Sequence, residues 1–176
     1  MRLRKWTVRA LLCGALLIAA ATLATYAALR ASLPPGPGVV DAHGLAHRVE
    51  IRFDAWRRPF VTADTLDDAL YAQGWLHASD RLWQMEMLRR AATGRLSELL
   101  GASTIGSDKE LWRMGVPQMG KQIEGNASPA LRASVEAYVR GVNAALAAYT
   151  LPPPEFLLLQ HAPAPWQPSD VYAMGA

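Results

Sequence analysis

The stretch from Tyr71 to Gly101 restricts the fold of this 176-residue chain more than any other part of it. Leu76, Trp83 and Met87 fall on one flank of a helix, and Trp75, Leu82, Met85 and Leu88 widen that flank into a broad apolar face. A face so wide has to be buried against another element. Thr65 followed by Asp68 makes a capping-box-like start, with Asp67 and Asp68 in the first turn where the helix dipole favours negative charge. Glu86 and Arg90, four residues apart, are expected to pair on the solvent side for a few tenths of a kcal/mol. Gly94 ends the helix, because glycine readily takes the left-handed conformation that follows a helix C-terminus. A shorter turn, Leu96 to Leu100, repeats the device with Gly101.

A second helix is expected from Ser128-Pro129, serine as the N-cap and proline at the first helical position. Leu131, Val135, Tyr138, Val142, Leu146 and Tyr149 form its apolar stripe, and Arg132, Glu136 and Arg140 ladder along the other side. Gly141 sits inside it at a cost of about 1 kcal/mol relative to alanine, which implies close packing against a neighbouring helix. Leu151 to Pro154 stops this helix. Upstream, Val49, Ile51 and Phe53 alternate with Glu50, Arg52 and Asp54, the period of a half-buried strand, and Phe60-Val61-Thr62 returns as a second strand after the Ala55 to Pro59 turn. Between the two long helices, Ala102 to Asp108 reads as a loop and Lys109 to Met114 as a short helical run. Gly115, Pro117 and Gly120 are expected to interrupt anything longer.

The N-terminus is of another kind. Arg2, Arg4, Lys5 and Arg9 precede an apolar run from Ala10 to Leu29, roughly 20 residues that span about 30 Å as a helix, the thickness of a bilayer core. Two readings stand, an uncleaved signal anchor and a signal peptide cut near Thr25-Tyr26-Ala27. Either exports everything after it, because the positive flank stays inside. Much of the net charge of +3 lies in that flank, so it is no nucleic-acid footprint. Cys13, the single cysteine, lies in the same run and excludes an intrachain disulfide. The Pro/Gly-rich segment around Leu33 to Gly38 reads as a stiff tether, continued by solvated linker histidines, His43 and His47. The division is therefore 1–30 signal segment, 31–48 linker and 49–176 folded domain.

Gly74-Trp75, His77-Ala78-Ser79-Asp80-Arg81, Trp83, Gln84-Met85-Glu86-Met87, Arg89-Arg90, Gly94-Arg95 and Glu98-Leu99-Leu100-Gly101 closely resemble the signature of the penicillin acylase (penicillin amidase) family, N-terminal-nucleophile hydrolases cut from one precursor into a small α chain and a large β chain. The resemblance continues through Asp108 and Arg113, Glu136-Ala137-Tyr138, Gly141-Val142-Asn143-Ala144, Pro154-Glu155-Phe156, and Pro165, Trp166, Pro168 and Asp170. It covers about Val49 to Ala176. One departure lies in the hairpin, where Phe53, Arg57 and Phe60 stand at the family's Arg, Gly and His positions, and Arg57 resists the positive φ that glycine allows there.

This resemblance implies a mainly α fold, the α-chain helical domain of an αββα hydrolase, with a short β-hairpin near residues 49–62 and an N-terminal transmembrane or signal helix. The chain would then be the N-terminal portion of an α chain. The complete precursor would hydrolyse the amide of N-acyl compounds such as penicillins or acyl-homoserine lactones, using the N-terminal serine of a β chain as nucleophile and its own α-amino group as base. That serine lies outside this sequence, and so would the family's calcium ligand and acyl pocket, beyond Ala176. The chain alone is expected to be inactive, poorly soluble, exported to the periplasm and anchored in the bacterial inner membrane through residues 10–29. Its expected partner is the β chain of the same precursor. A non-catalytic, membrane-anchored helical scaffold for partner binding is the alternative.

No catalytic, cofactor-binding or metal-ligating residue is assigned here. Gly106-Ser107-Asp108 only looks like the family's Gly-Ser-Asn cleavage site, and Ser107 is explained as a turn leading to an N-cap. His77 and Ser79 lie two apart on one helix and cannot aim at one atom, so they read as packing residues. Asp80 and Arg81 are either solvated charges or ion-pair partners of the β chain. Glu86 and Glu98 read as surface partners of arginines. Asn126-Ala127-Ser128 is followed by Pro129 and is discounted as a glycosylation site.

Overall fold

A computed structural model describes residues 2–34, 36 and 38–175. Pro35 and Pro37 of the tether, and the side chains of Arg2, Arg4 and Lys5 in the basic flank, lie outside the described residues. The chain is mostly helical, as expected. In order it forms α1 (Arg2–Ala31), β1 (Glu50–Phe53), β2 (Pro59–Thr62), α2 (Leu66–Ala92), α3 (Ser97–Leu100), a 3-10 turn (Gly101–Thr104), α4 (Ile105–Met114), α5 (Val116–Asn126), α6 (Pro129–Ala148), α7 (Pro154–Leu158) and α8 (Pro168–Met174).

The packed α2/α6 pair supplies the core, and two glycines let it close. A Cβ placed on Gly141 would lie 1.9 Å from the Tyr71 carbonyl oxygen, and one on Gly74 would lie 2.1 Å from that of Tyr138. Each helix backbone therefore rests directly on the other at these two points, which is the close packing expected from Gly141. Around the crossing Ala78, Leu82, Met85, Val139, Val142 and Ala145 interdigitate with Phe156 of α7 and with Trp166, both essentially without exposed surface. Asn143 holds Trp166 in place by pairing with its backbone in both directions, Nδ2 donating to the carbonyl at 2.9 Å and Oδ1 accepting from the amide at 2.8 Å.

Caps follow the expected chemistry. Thr65 Oγ1 accepts from the Asp68 amide at 3.1 Å, and Ser128 Oγ from the Leu131 amide at 3.2 Å. Gly94 takes φ +63° just past the end of α2, where the indole of Trp112 donates to its carbonyl at 3.1 Å and leaves no room for a Cβ. Residues 39–48 lie against the start of α2. Buried Asp68 accepts from the Ala46 amide at 2.8 Å, and its other oxygen sits 3.1 Å from His47 Nδ1. His47 is thus paired with a carboxylate although half of its side chain meets solvent.

Several local expectations are corrected. Ala102 to Asp108 is no loop: the 3-10 turn runs into α4, which begins at Ile105, and Ser107 lies inside that helix with Oγ donating to the Thr104 carbonyl at 2.8 Å instead of leading to a cap. Gly115, at φ +75°, does break the helix. Pro117 does not, because it falls in the first turn of α5, where no intrahelical N–H partner is needed. Gly120 sits within α5 because a Cβ there would come 2.7 Å from the Ser169 carbonyl of α8. The hairpin pairs Glu50 with Thr62 and Phe53 with Pro59, but it is less buried than its alternation suggested, with Phe53 and Phe60 both exposed.

Arg57 adopts φ +61° in the hairpin turn, the left-handed geometry it resists. The turn is held by Asp54, whose carboxylate accepts from the Trp56 and Arg58 amides, both at 2.9 Å, and from Arg58 Nε at 2.7 Å. Left-handed backbone costs a non-glycine residue about 1–2 kcal/mol, part of which glycine would give back in unfolded-chain entropy. Arg57→Gly is accordingly expected to stabilise the protein by about 0.5 kcal/mol, and Arg57→Val to destabilise it. Thermal midpoints moving in opposite directions check this.

Candidate functional site

The polar residues of α2 divide between two environments. On the inner side Glu86, Arg89 and Arg90 are buried together, with Glu86 at 1% exposure. Arg89 donates to Glu86 Oε2, to Asp170 Oδ2 at 3.3 Å and to the Pro165 and Ala164 carbonyls, while its guanidinium carbon lies 4.9 Å from the Trp166 ring centre. Arg90 donates from Nε to Glu86 Oε1 at 2.7 Å and from NH1 to Glu98 Oε2 at 2.6 Å. Its NH2 reaches His161 Nε2 at 2.7 Å, so that nitrogen accepts and the ring proton sits on Nδ1. The expectation of a solvent-facing Glu86–Arg90 pair is therefore wrong. Glu86 follows Leu82 by four residues and Ala78 by eight, so it shares their buried side of α2, which α8 and the 161–167 segment cover at its charged end. With both oxygens of Glu86 accepting from guanidinium groups, it cannot act as a general base.

Glu98 remains half exposed, as a surface partner should, and bridges Arg90 and Arg95. The Arg95 side chain, and after it Arg90, pull its carboxyl down to about 2 from an ordinary 4.5, against the opposing effect of burial. A depressed native value means that the unfolded chain takes up the proton first as pH falls. This stabilisation is whole above pH 4.5 and drains away toward pH 2. Glu98→Gln is expected to flatten that part of a plot of urea midpoint against pH, by an amount that solvent screening keeps modest. Nearby, burial would raise Asp108, yet the Ser97 hydroxyl and the amides of Ser97 and Leu96 outweigh it and hold the carboxyl below its usual range. Those amides lie at 2.7 and 3.0 Å, so Asp108 caps α3.

The outer side of α2 is different. His77, Asp80, Arg81 and Gln84 are exposed, and among the described residues neither Asp80 nor Arg81 forms an ion pair. His77, Asp80 and Arg81 border a groove of about 500 Å³ between α2 and the hairpin, floored by Val61, Leu66, Leu70 and Leu76. His77 Nδ1 lies 3.0 Å from the Tyr138 hydroxyl, whereas Ser79 Oγ is buried without a partner. The two do not converge, in keeping with their spacing.

Arg81 has non-helical dihedrals, φ −141° and ψ 29°, which kink α2 in mid-signature. No proline causes the kink. The Tyr149 hydroxyl enters the ladder one turn earlier and donates to the Ser79 and Ala78 carbonyls at 2.8 and 3.2 Å. Burial, with Asp80 adding to it, pushes this phenol up to about 12. Sequence periodicity gave Tyr149 only a packing role, and nothing local signals the hydroxyl's task. Tyr149→Phe is expected to cost about 1–2 kcal/mol, the desolvation of a buried carbonyl left unpaired, measured as a fall in denaturation midpoint.

Among the described residues no three His, Cys, Asp or Glu side chains converge to hold a metal ion. Asp68, Asp108 and Glu86 are each committed to donors within the chain, so this set does not fit a calcium site.

Residues 48–176 match the family model described as penicillin amidase. The acyl-homoserine lactone acylase QuiP of Pseudomonas aeruginosa is 41% identical over 140 residues, 79% of this chain and 16% of that protein. Penicillin acylase 2 proenzyme of Pseudomonas sp. strain SE83 is 39% identical over 141 residues, 80% of this chain and 18% of that protein. The thermostable penicillin G acylase of Alcaligenes faecalis superposes with a TM-score of 0.65 at 27% identity, covering 72% of this chain and 69% of the matched one. The chain thus spans less than a fifth of the length of these two curated relatives.

Proposed function

Because the chain belongs to the penicillin amidase family, we propose that it is the N-terminal portion of the α chain of an acylase precursor. The complete precursor hydrolyses the amide bond of N-acyl compounds, penicillins or acyl-homoserine lactones among them. In this reading residues 49–176 form a scaffold. The nucleophile is the N-terminal serine of a β chain encoded downstream, and any calcium ligand belongs to that downstream part as well. Residues 1–30 export the protein and anchor it in the inner membrane, with 31–48 as the connection.

One observation carries the proposal. The polar groups of the signature helix divide into a buried set spent on internal pairing, Glu86, Arg89 and Arg90, and an exposed set, His77, Asp80 and Arg81, left beside an apolar groove. Neither set joins a nucleophile to a base, so its chemistry is that of support and docking. A β-chain segment with an apolar side chain for the groove and charges opposite Asp80 and Arg81 would complete this surface.

The experiment is to extend the reading frame past codon 176, express the product and assay it on a chromogenic acyl-anilide and on an N-acyl-homoserine lactone. A Gly-Ser-Asn junction, self-cleavage into two chains and hydrolysis lost on replacing the junction serine by alanine are expected. A stop codon directly after Ala176, with a stable membrane-bound product and no hydrolysis, overturns it in favour of a non-catalytic anchored scaffold.

A further inference from the structure

We infer that the corner formed by Leu157, Leu158 and Leu159 dips into the outer interface of the bilayer beside α1, so that the domain rests on the membrane in one fixed orientation. This inference rests on the anchor reading of residues 1–30.

Leu11–Ala31 is a 21-residue apolar stretch of α1 with mean hydropathy 2.0, none of it buried within the protein. Near its end Arg30 Nε donates to the Tyr26 hydroxyl at 3.1 Å and the guanidinium lies 5.8 Å from that ring. An aromatic hydroxyl paired with a long cationic side chain is the combination that settles at the level of lipid headgroups. One residue further on, the Ala31 carbonyl accepts from the Leu151 amide at 3.2 Å, and Ser32 is buried. The connection between α6 and α7 is therefore held at the depth where α1 leaves the bilayer, although the intervening chain runs from the linker through the hairpin and α2 to α6.

From Leu151 the chain has only seven residues to reach Leu158, at most about 24 Å fully extended and less with α7 formed. Phe156 is fully buried in the core and fixes the rotation of α7. Gln160 turns the chain with φ +51°, and the His161 amide closes on the Phe156 carbonyl at 2.9 Å. The result is a tight corner that leaves Leu157, Leu158 and Leu159 exposed at 44%, 82% and 42%. No ionisable side chain interrupts Phe156 to Gln160. Three consecutive exposed leucines on a short rigid corner, a few residues beyond the Leu151 amide that bonds to the end of a membrane-length helix, fit lipid acyl chains next to the headgroups.

The test uses the full-length protein with Cys13→Ser and Leu158→Cys, labelled with an environment-sensitive NBD dye and reconstituted in phosphatidylcholine/phosphatidylglycerol vesicles. Blue-shifted emission that is quenched by nitroxide-bearing lipids but not by aqueous iodide is expected. Water-like emission quenched by iodide overturns the inference. So does blue-shifted emission insensitive to both quenchers, which would mean that protein covers the leucines. The intact mass of the membrane-extracted chain separates the two readings: a chain lacking α1 overturns the anchor and this inference together, whereas a retained α1 with either adverse quenching result overturns this inference alone.

Discussion

Glu86→Ala is expected to destabilise the protein by about 3–5 kcal/mol, because it strands two guanidinium groups in the interior. The carboxylate is 1% exposed and shares one oxygen with Arg89 and the other with Arg90. Asp170, at 3.3 Å from Arg89, and Glu98, at 2.6 Å from Arg90, remain as counter-charges, which keeps the loss toward the lower end of that range. Glu86→Gln fares little better, since an amide offers one acceptor where two donors converge. Glu98 and Glu86 share Arg90, so Glu86→Ala combined with Glu98→Gln should cost more than the two single changes added. Urea denaturation of the four proteins measures both claims, and strict additivity would mean that Arg90 does not couple them.

Gly141→Ala is expected to cost about 3 kcal/mol or more, the upper end of what overpacking a core produces. Alanine gains about 1 kcal/mol over glycine in a helix interior, and that gain is overwhelmed. The new methyl carbon would meet the Tyr71 carbonyl oxygen at 1.9 Å and its carbon at 2.7 Å, and a backbone group cannot rotate aside as a side chain can. The α2/α6 pair has to separate. Gly74→Ala does the same from the other helix, 2.1 Å from the Tyr138 carbonyl oxygen. Once the helices have parted for one methyl group the second costs less, so the double replacement should be sub-additive. Gly125 of α5 is the internal control: a Cβ there meets nothing within 4 Å, and Gly125→Ala is expected to stabilise by up to about 1 kcal/mol. Denaturation midpoints moving down for Gly141→Ala and up for Gly125→Ala would separate contact from propensity.

The candidate site was legible in unequal parts. The signature from Gly74 to Gly101 identified the family and placed its residues on one helix, and the i,i+2 spacing of His77 and Ser79 was enough to dismiss them as a catalytic pair. The burial of Glu86 was not legible, because it depends on Asp170, His161 and the Ala164 and Pro165 carbonyls, more than 70 residues away along the chain. Nor was the kink at Arg81, which carries neither proline nor glycine and answers to a hydroxyl from α6. Pro117 and Gly120 misled in the same direction: both are poor helix residues on propensity, yet one falls in the first turn and the other makes room for α8.

What the sequence by itself determined is what depends on neighbours along the chain. Thr65, Gly94, Ser128 and Pro129 bound the two long helices through hydrogen bonds and dihedral preferences within a few residues, and the apolar periods of α2 and α6 required that each be covered. The membrane-length run of α1 belongs to the same class, since length and hydropathy are local sums. Tertiary structure alone decided how the charged residues on the inner side of α2 are covered. Helical spacing sorts residues into faces, but a charged group is buried or exposed according to what folds over it. Buried Glu86 is tolerable because Arg89 and Arg90 of the same helix pair with it, while Asp170 of α8 and the Ala164 and Pro165 carbonyls take up the remaining donors of Arg89. The same holds for Gly141: periodicity showed that a helix must approach there, and only the packed pair showed that the approach is backbone against backbone.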